Sequence, residues 1–277
     1  MLFTSLVFAG SLVAGLLGAL TGLGGGVVLV PLLTIVFHVD IRYAIGASLI
    51  SVIATSSGAA AAYVREGFSS VRIGMFLEIA TTFGAVFGAF LSGHVPTKWL
   101  AIIFGLVLLY SAWLSWQQAR HPDAPYTGNN PWSDRLQMSG SYPDGRGGVC
   151  EYTVTHIPGG FATMFGAGTL SGLLGIGSGA VKVLAMDRIM RIPFKVSTTT
   201  SNFMIGVTAA ASAGIYLKRG YIDPGLAFPV MLGVLGGSLL GARYLVKAKV
   251  SLLRNVFTLV ILALGIEMIV NGFTGKS

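Results

Sequence analysis

GIGSGAVKVLAMDRIM, from Gly175 to Met190, is too apolar for a soluble loop and too short and glycine-broken for a plain membrane helix. It has a counterpart in the same chain, GLGGGVVLVPLLTIVF from Gly22 to Phe37, which begins 153 residues earlier (175 minus 22). At that offset the two halves align without a gap over much of their length. Gly22, Gly24 and Gly26 fall on Gly175, Gly177 and Gly179; Ser48 on Ser201; Thr55 on Thr208; Tyr63 on Tyr216; Gly67 on Gly220; Gly84 and Gly88 on Gly237 and Gly241; Phe104 on Phe257. Arg42 and Arg65 meet Lys195 and Lys218, which keeps the charge. Shared lipid composition produces apolar coincidences, but a tyrosine, a basic residue and a glycine at fixed spacing are harder to obtain that way, so the chain reads as an internal repeat.

The rest of the composition sets the solvent. Of 277 residues, 53% are apolar and only 10% charged, with a mean hydropathy of +0.77. A soluble domain carries about 25% charged residues to keep its surface wet, so lipid must cover this one. A disordered tail, a coiled coil or a nucleic-acid module is excluded on the same ground. The net charge of +8 (18 basic minus 10 acidic residues) fits basic cytoplasmic loops beside anionic lipid better than a nucleic-acid partner. The single cysteine, Cys150, excludes an intramolecular disulfide and a zinc site of paired thiolates.

Crossing about 30 Å of hydrocarbon takes about 20 apolar residues. Seven stretches approach this: Leu2 to Ala19, Tyr43 to Val64, Ile73 to Leu91, Trp99 to Trp116, Val196 to Leu217, Gly225 to Val246 and Leu252 to Phe273. The first lacks a basic flank and a cleavage site, so it reads as a retained span. Gly159 to Leu174 and the glycine-broken stretches Gly22 to Phe37 and Gly175 to Met190 bring the expected passes to ten. Residues 2 to 37 hardly hold two full crossings, so tilted short helices and a re-entrant hairpin both stay open there. Between the halves, Gln117 to Ile157 is polar, and Leu136 to Tyr142 and Val149 to Ile157 around the turn-forming Pro143 to Gly148 read as a small β-hairpin. The expected fold is thus an all-α polytopic membrane protein, with membrane repeats at 1–116 and 158–277 flanking an extramembrane insertion at 117–157.

Ten passes place twelve basic residues on one side (Arg65, Arg72, Arg120, Arg135, Arg146, Arg188, Arg191, Lys195, Arg243, Lys247, Lys249, Arg254) and five on the other (Arg42, Lys98, Lys218, Arg219, Lys276). Positive loops stay inside, so the central loop is expected in the cytoplasm and both termini outside a bacterial inner membrane. Five passes per half is an odd number, which turns the second half upside down relative to the first. Inverted repeats of this kind recur in secondary transporters, whose substrate sites lie where corresponding broken helices meet.

GLGGG lacks the third glycine of a dinucleotide fingerprint, since Val27 stands there. At membrane depth, glycines let the backbone leave helical geometry, and freed N–H groups beside a helix N-terminus form a pocket for an anion. Gly22, Gly24, Gly25, Gly26, Gly175, Gly177, Ser178 and Gly179 are therefore candidates for substrate binding, close helix packing being the alternative. Ser48 and the run Thr199, Thr200, Ser201, Asn202 follow each motif by about twenty residues and offer neutral donors that bind an oxyanion without trapping it. Bonding back to their own helix carbonyls is the alternative. An ionisable residue in a span costs roughly 2.5 to 3.5 kcal/mol and calls for a reason. Lys182 either neutralises an anion or snorkels or pairs with Asp187, and Glu78 and Glu267 are candidates for carrying protons. His38, His94, His121 and His156 have no metal-ligand spacing, and no nucleophile sits beside a base, so neither a catalytic residue, a metal nor a cofactor is expected.

GLGGGVVLVPLL in the first half, and GLLGIGSGAVKVLAMDRIMRIPFKVSTTTSNFMIGVTAAASAGIYLKRGYIDP in the second, resemble the TauE/SafE sulfite exporter family, also called TSUP. The likeness covers both halves, and the central SYPDG segment looks like a branch with an insertion between repeats. The resemblance implies a permease for sulfur-containing anions such as sulfite, thiosulfate or sulfonates, usually moved outward, and it points to the same glycine motifs and hydroxyl stretches. Ser178 replaces a glycine, and Leu184 stands where the first half has Pro31. A voltage negative inside is worth about 2.3 kcal/mol per charge per 100 mV and expels anions, so export needs no coupling, and the scarcity of buried carboxylates favours that direction. The expected partners are a small anion and the bilayer, with a homo-oligomer compatible with both. The alternative is a membrane scaffold or sensor that binds a soluble partner through the central loop.

Overall fold

The computed structural model describes residues 2–21, 25–65, 70–117, 131–143, 148–245 and 250–274. Eight long helices build it: α1 (Leu2–Thr21), α3 (Ile41–Arg65), α4 (Val71–Ser92), α5 (Thr97–Gln117), α7 (Ile157–Leu174), α9 (Phe194–Lys218), α10 (Pro224–Leu245) and α11 (Val250–Thr274). At 1.5 Å per residue, helices of 18 to 25 residues span roughly 27 to 37 Å. One broken helix completes each half: α2 (Gly26–Pro31), continued by π-helix Leu32–Val36, in the first, and α8 (Gly179–Leu184), continued by π-helix Ala185–Ile189, in the second. Eleven residues rise only about 16 Å, so these two stretches reach half-way as helix, not across.

The insertion holds a short helix α6 (Pro131–Arg135), which the sequence pattern did not suggest, and the antiparallel strands β1 (Gly140–Pro143) and β2 (Val149–Tyr152). The hairpin is shorter than expected. Beyond the strand ends, Met138 and Val154 are buried with Ile73, Leu77, Met186 and Met190 instead of continuing the ladder. The Thr155 N–H also bonds the Met190 carbonyl at 3.0 Å. The insertion is therefore packed onto the ends of α4 and the second broken helix. Arg120, Arg146, Lys247, Lys249 and Lys276, which entered the expected charge asymmetry, lie outside the described residues.

Local geometry recurs at the 153-residue offset. The bounds of α3 and α9 (41 and 194), of α4 and α10 (71 and 224) and of the two π-helices (32 and 185) differ by that number. His38 and Arg191 both adopt left-handed backbone, φ 51° and 54°. The next N–H in each reaches back six residues, Val39 to Leu33 at 3.0 Å and Ile192 to Met186 at 2.9 Å. The π turn forms with Pro31 in one half and Leu184 in the other, so the proline does not cause it.

Helix directions follow from side-by-side contacts. The Arg42 guanidinium lies over the Tyr221 ring at 5.7 Å while Ser56 abuts Gly206, so α3 and α9 run antiparallel. Lys98 lies over Phe273 and Gly105 abuts Gly265, which makes α5 and α11 antiparallel too. Helix α1 instead runs alongside α10 in the same direction, and α4 alongside α7. These last two interfaces rest on backbone touching backbone. A Cβ added at Gly84 would collide with the Phe165 carbonyl, one at Gly237 with the Leu12 carbonyl, one at Gly168 with that of Thr81, and one at Gly15 with that of Val234. Each pair maps onto the other at the same offset (84 and 237, 165 and 12, 168 and 15, 81 and 234).

Outside this core, large apolar side chains face outward, Phe83 at 68% and Leu259 at 71% exposure among them, a surface suited to lipid. Helix α4 has an 18-residue window of mean hydropathy 1.6, and among the described residues it alone meets both length and apolarity for a span; the other helices carry shorter apolar runs.

Overpacking at a backbone contact costs roughly 1 to 3 kcal/mol. Gly84→Ala and Gly237→Ala are expected to lower the thermal unfolding midpoint in detergent by similar amounts. Gly166→Ala, whose added methyl meets nothing within 4 Å, is expected to cause no loss.

Candidate functional site

The broken helices converge on the middle of α3 and α9. Gly26, at the start of α2, is so close to α3 that a Cβ would lie 2.6 Å from Ser48 Oγ and 3.1 Å from the Gly175 carbonyl oxygen. Ser48 Oγ donates to that same carbonyl at 2.8 Å. One hydroxyl of the first half thus ties the second half's glycine motif beside its own. On the other flank, Ser201 Oγ donates to the Gly179 carbonyl at 3.3 Å. Gly175 and Gly177 adopt φ of +67° and +69°, and a Cβ there would press on Ile45 or Ile205, so these two positions of the turn between α7 and α8 call for glycine.

Ser178 follows in the same left-handed region, φ 47°, where its first-half counterpart Gly25 has φ −61°. A non-glycine residue is disfavoured there by about 1 to 2 kcal/mol. Among the described residues its Oγ is buried without a hydrogen-bond partner, and it caps no helix N–H. The first N–H groups of α8 have no intrahelical acceptor, so donors and a positive helix end share this pocket.

Other expected residues are used locally. Thr200 Oγ1 accepts from the Ser70 N–H at 3.1 Å, and Thr199 Oγ1 donates to the Val196 carbonyl at 3.1 Å. Asn202 is half-buried on α9. Gly25 packs against Val234 and Gly15; Gly22 and Gly24 lie outside the described residues. Glu267 sits exposed on α11.

Lys182, the fourth residue of α8, is fully buried. It neither snorkels nor meets Asp187, which makes a 3.8 Å ion pair with Arg188. Its ammonium donates at 2.5 Å to Thr208 Oγ1 of α9, and that hydroxyl donates in turn to Glu78 Oε1 of α4 at 2.7 Å. Thr82 Oγ1 also reaches Glu78 Oε1, at 3.3 Å. Three helices from both halves therefore close a buried chain of ammonium, hydroxyl and carboxylate. Thr208 was not singled out by sequence reasoning, although its pairing with Thr55 was visible in the repeat. Ser48, Ser178, Lys182 and Ser201 are all buried. A groove of about 370 Å³ near the start of α1 is lined by Thr4, Ser5, Phe8, Phe228, Pro229 and Leu232 and by none of these four residues.

Removing one member of a buried ion pair strands the other and costs about 3 to 5 kcal/mol, whereas apolar replacement of both is often neutral. Lys182→Leu or Glu78→Met alone is expected to destabilise strongly, and the double variant to return close to wild type. Thermal unfolding in detergent measures this cycle, and additive losses would contradict the pairing.

The chain matches the family model described as Sulfite exporter TauE/SafE over residues 7–268. It is 28% identical to the Probable membrane transporter protein YunE of Bacillus subtilis (strain 168), over 98% of this chain and 99% of that protein. It is 27% identical to the Probable membrane transporter protein YdhB of the same organism, over 88% and 89%. A Probable membrane transporter protein of Xylella fastidiosa (strain 9a5c) is 25% identical over 94% and 92%. No solved structure matches. A match spanning nearly the whole chain, including both glycine motifs and the buried charge chain, makes this an integral membrane transporter, not an enzyme, and a member of the TauE/SafE sulfite exporter family.

Proposed function

We propose that this protein is a secondary transporter of small sulfur-containing anions, with sulfite, thiosulfate and organosulfonates as the substrate class, and that its two halves form an inverted repeat around the site. The inversion is supported by direction: helices equivalent at the 153-residue offset, α3 with α9 and α5 with α11, run antiparallel. The reciprocal glycine contacts are those of a pseudo-two-fold axis, where residue i meets j and j meets i. Alternating access then amounts to exchanging the conformations of two similar halves.

One observation carries the substrate site. The two glycine motifs meet at Ser48 and Gly175, and beside them stand a buried, unpartnered hydroxyl (Ser178) and a buried ammonium (Lys182) four residues on. A buried hydroxyl with no acceptor among the described residues, beside an ammonium with N–H groups to spare beyond its bond to Thr208, suits an oxyanion. The burial of these groups corresponds to an occluded state. For an anion that moves with its charge, a negative-inside voltage favours export.

Labelled sulfonate is expected to enter proteoliposomes by counterflow only when the protein is present. Ser178→Ala separates a site role from a packing role. Deleting a stranded hydroxyl relieves a penalty of roughly 1 to 3 kcal/mol, so thermal stability should hold or rise, while the concentration for half-maximal counterflow rises about tenfold. Unchanged counterflow would remove Ser178 from the site.

We further propose a cytoplasmic insertion with both termini outside, from the positive-inside count. Cys150, half-buried on β2 and the single cysteine of the chain, reports on it. A membrane-impermeant thiol reagent is expected to label inside-out vesicles and to spare intact cells; the reverse pattern would invert the topology.

A further inference from the structure

Glu78 is the buried charge that the anion site leaves without a task. It is 6% exposed, reaches in from the first half, and its Oε2 is buried without a partner. The corresponding positions in the other half differ in an informative way. Lys182 falls on Leu29 (182 minus 153) and Glu78 on Met231 (78 plus 153), while Thr208 keeps its hydroxyl as Thr55. Neither charge has a charged counterpart, so of the two repeat-related places only the one joining α4, α8 and α9 carries the pair.

The Thr208 hydroxyl has one hydrogen and two acceptors in reach, Glu78 Oε1 at 2.7 Å and its own helix carbonyl at Met204, 2.9 Å. It can swing its hydrogen from the carboxylate to the backbone without leaving Lys182. Among the described residues, Lys182 is the only charged side chain facing Glu78. Helix α7 carries no titratable residue between Ile157 and Leu174, Lys195 and Lys218 of α9 lie at its ends, and on α4 itself Arg72 is turned to Gln137. One cation therefore serves whatever negative charge is present. With a substrate anion on Lys182, an ionised Glu78 would be a second negative charge in a water-free site, at a desolvation cost of several kcal/mol.

We propose that Glu78 is a tethered stand-in for the transported anion: in the empty site its carboxylate balances Lys182 through Thr208, and when an anion occupies Lys182, Glu78 takes up a proton from water, so one proton crosses with each monovalent anion. The step breaks one O–H bond of hydronium in the solution facing the site, leaving water, and forms one on the carboxylate; both changes reverse when the anion leaves. The site is neutral before and after loading, so the proton and anion gradients replace voltage as the driving force. This rests on the anion-site reading above.

The test uses the full-length protein in proteoliposomes with methanesulfonate, a strong-acid anion that carries no proton of its own. Anion uptake, internal pH and response to an imposed potassium-diffusion potential are read together. The wild type is expected to acidify the lumen by one proton per anion taken up and to ignore the imposed voltage. In Glu78→Gln, the anion flux that remains is expected to carry charge, follow the voltage and leave pH unmoved. Wild-type flux that follows voltage without moving protons would overturn the proposal and leave the transporter reading intact. Absence of flux for methanesulfonate, sulfite and thiosulfate alike would overturn both. The wild-type stoichiometry decides even if the variant fails to fold.

Discussion

Everything in this molecule hangs on backbones brought into contact where glycine has no side chain. In a bilayer, apolar side chains gain nothing by leaving lipid for protein, so helices associate through close packing and whatever polar contacts they make. The collisions that a Cβ would cause at Gly15, Gly84, Gly168 and Gly237 mark the places where α1 meets α10 and α4 meets α7. Because each of these pairs joins one half to the other, neither half has a core of its own; the main apolar cluster mixes α1, α2 and α3 with α9 and α10. The site inherits its geometry from this interlock. Glu78 lies on α4 less than two turns before Gly84, so the same contact that seats α4 on α7 brings the carboxylate to Thr208.

A good part of this was legible in the primary structure, and for identifiable reasons. Long apolar runs have a length fixed by the bilayer, so the expected spans fell within a few residues of the helices. A duplicated pattern survives at the backbone level because π turns and left-handed residues recur where the sequence recurs, even with Pro31 exchanged for Leu184. The broken helices were recognisable from glycine alone, but their half-length, about 16 Å, was not. The hairpin was overextended because alternating β-branched and aromatic residues do not reveal that Val154 and Met138 leave the strand to pack on α4 and the second broken helix.

The charge chain was the least legible feature. Lys182, Thr208 and Glu78 are separated by 26 and 130 residues, and no periodicity joins them. Read singly, Lys182 had a nearer acidic partner in Asp187, and Glu78 an equal rival in Glu267. Only packing separates these choices, since Asp187 meets Arg188 and Glu267 faces outward. The hydroxyls were harder still. Ser48 and Ser201 bond to motif carbonyls, not to their own helices, whereas Thr198 and Ser51 bond back four residues; sequence offers no means to tell these fates apart.

The asymmetry of the charge chain bears on how an inverted repeat can work at all. If both halves carried the same charges, the midplane would hold two ammonium groups and two carboxylates, and each would oppose burial of its like. With Leu29 and Met231 at the corresponding positions, each half supplies one charge to the chain, Glu78 from the first and Lys182 from the second, and an apolar side chain to the equivalent place. Alternating access requires the halves to be similar in shape, so that one can take the other's conformation, but it does not require them to be similar in chemistry. Backbone recurrence at the 153-residue offset meets the first condition, and the Lys182–Thr208–Glu78 chain has no charged counterpart at the equivalent positions. Under the proposed exchange at Lys182, the tethered carboxylate and the mobile anion are alternatives at one cation, and a neutral site encounters the smallest electrostatic barrier on its way across the hydrocarbon.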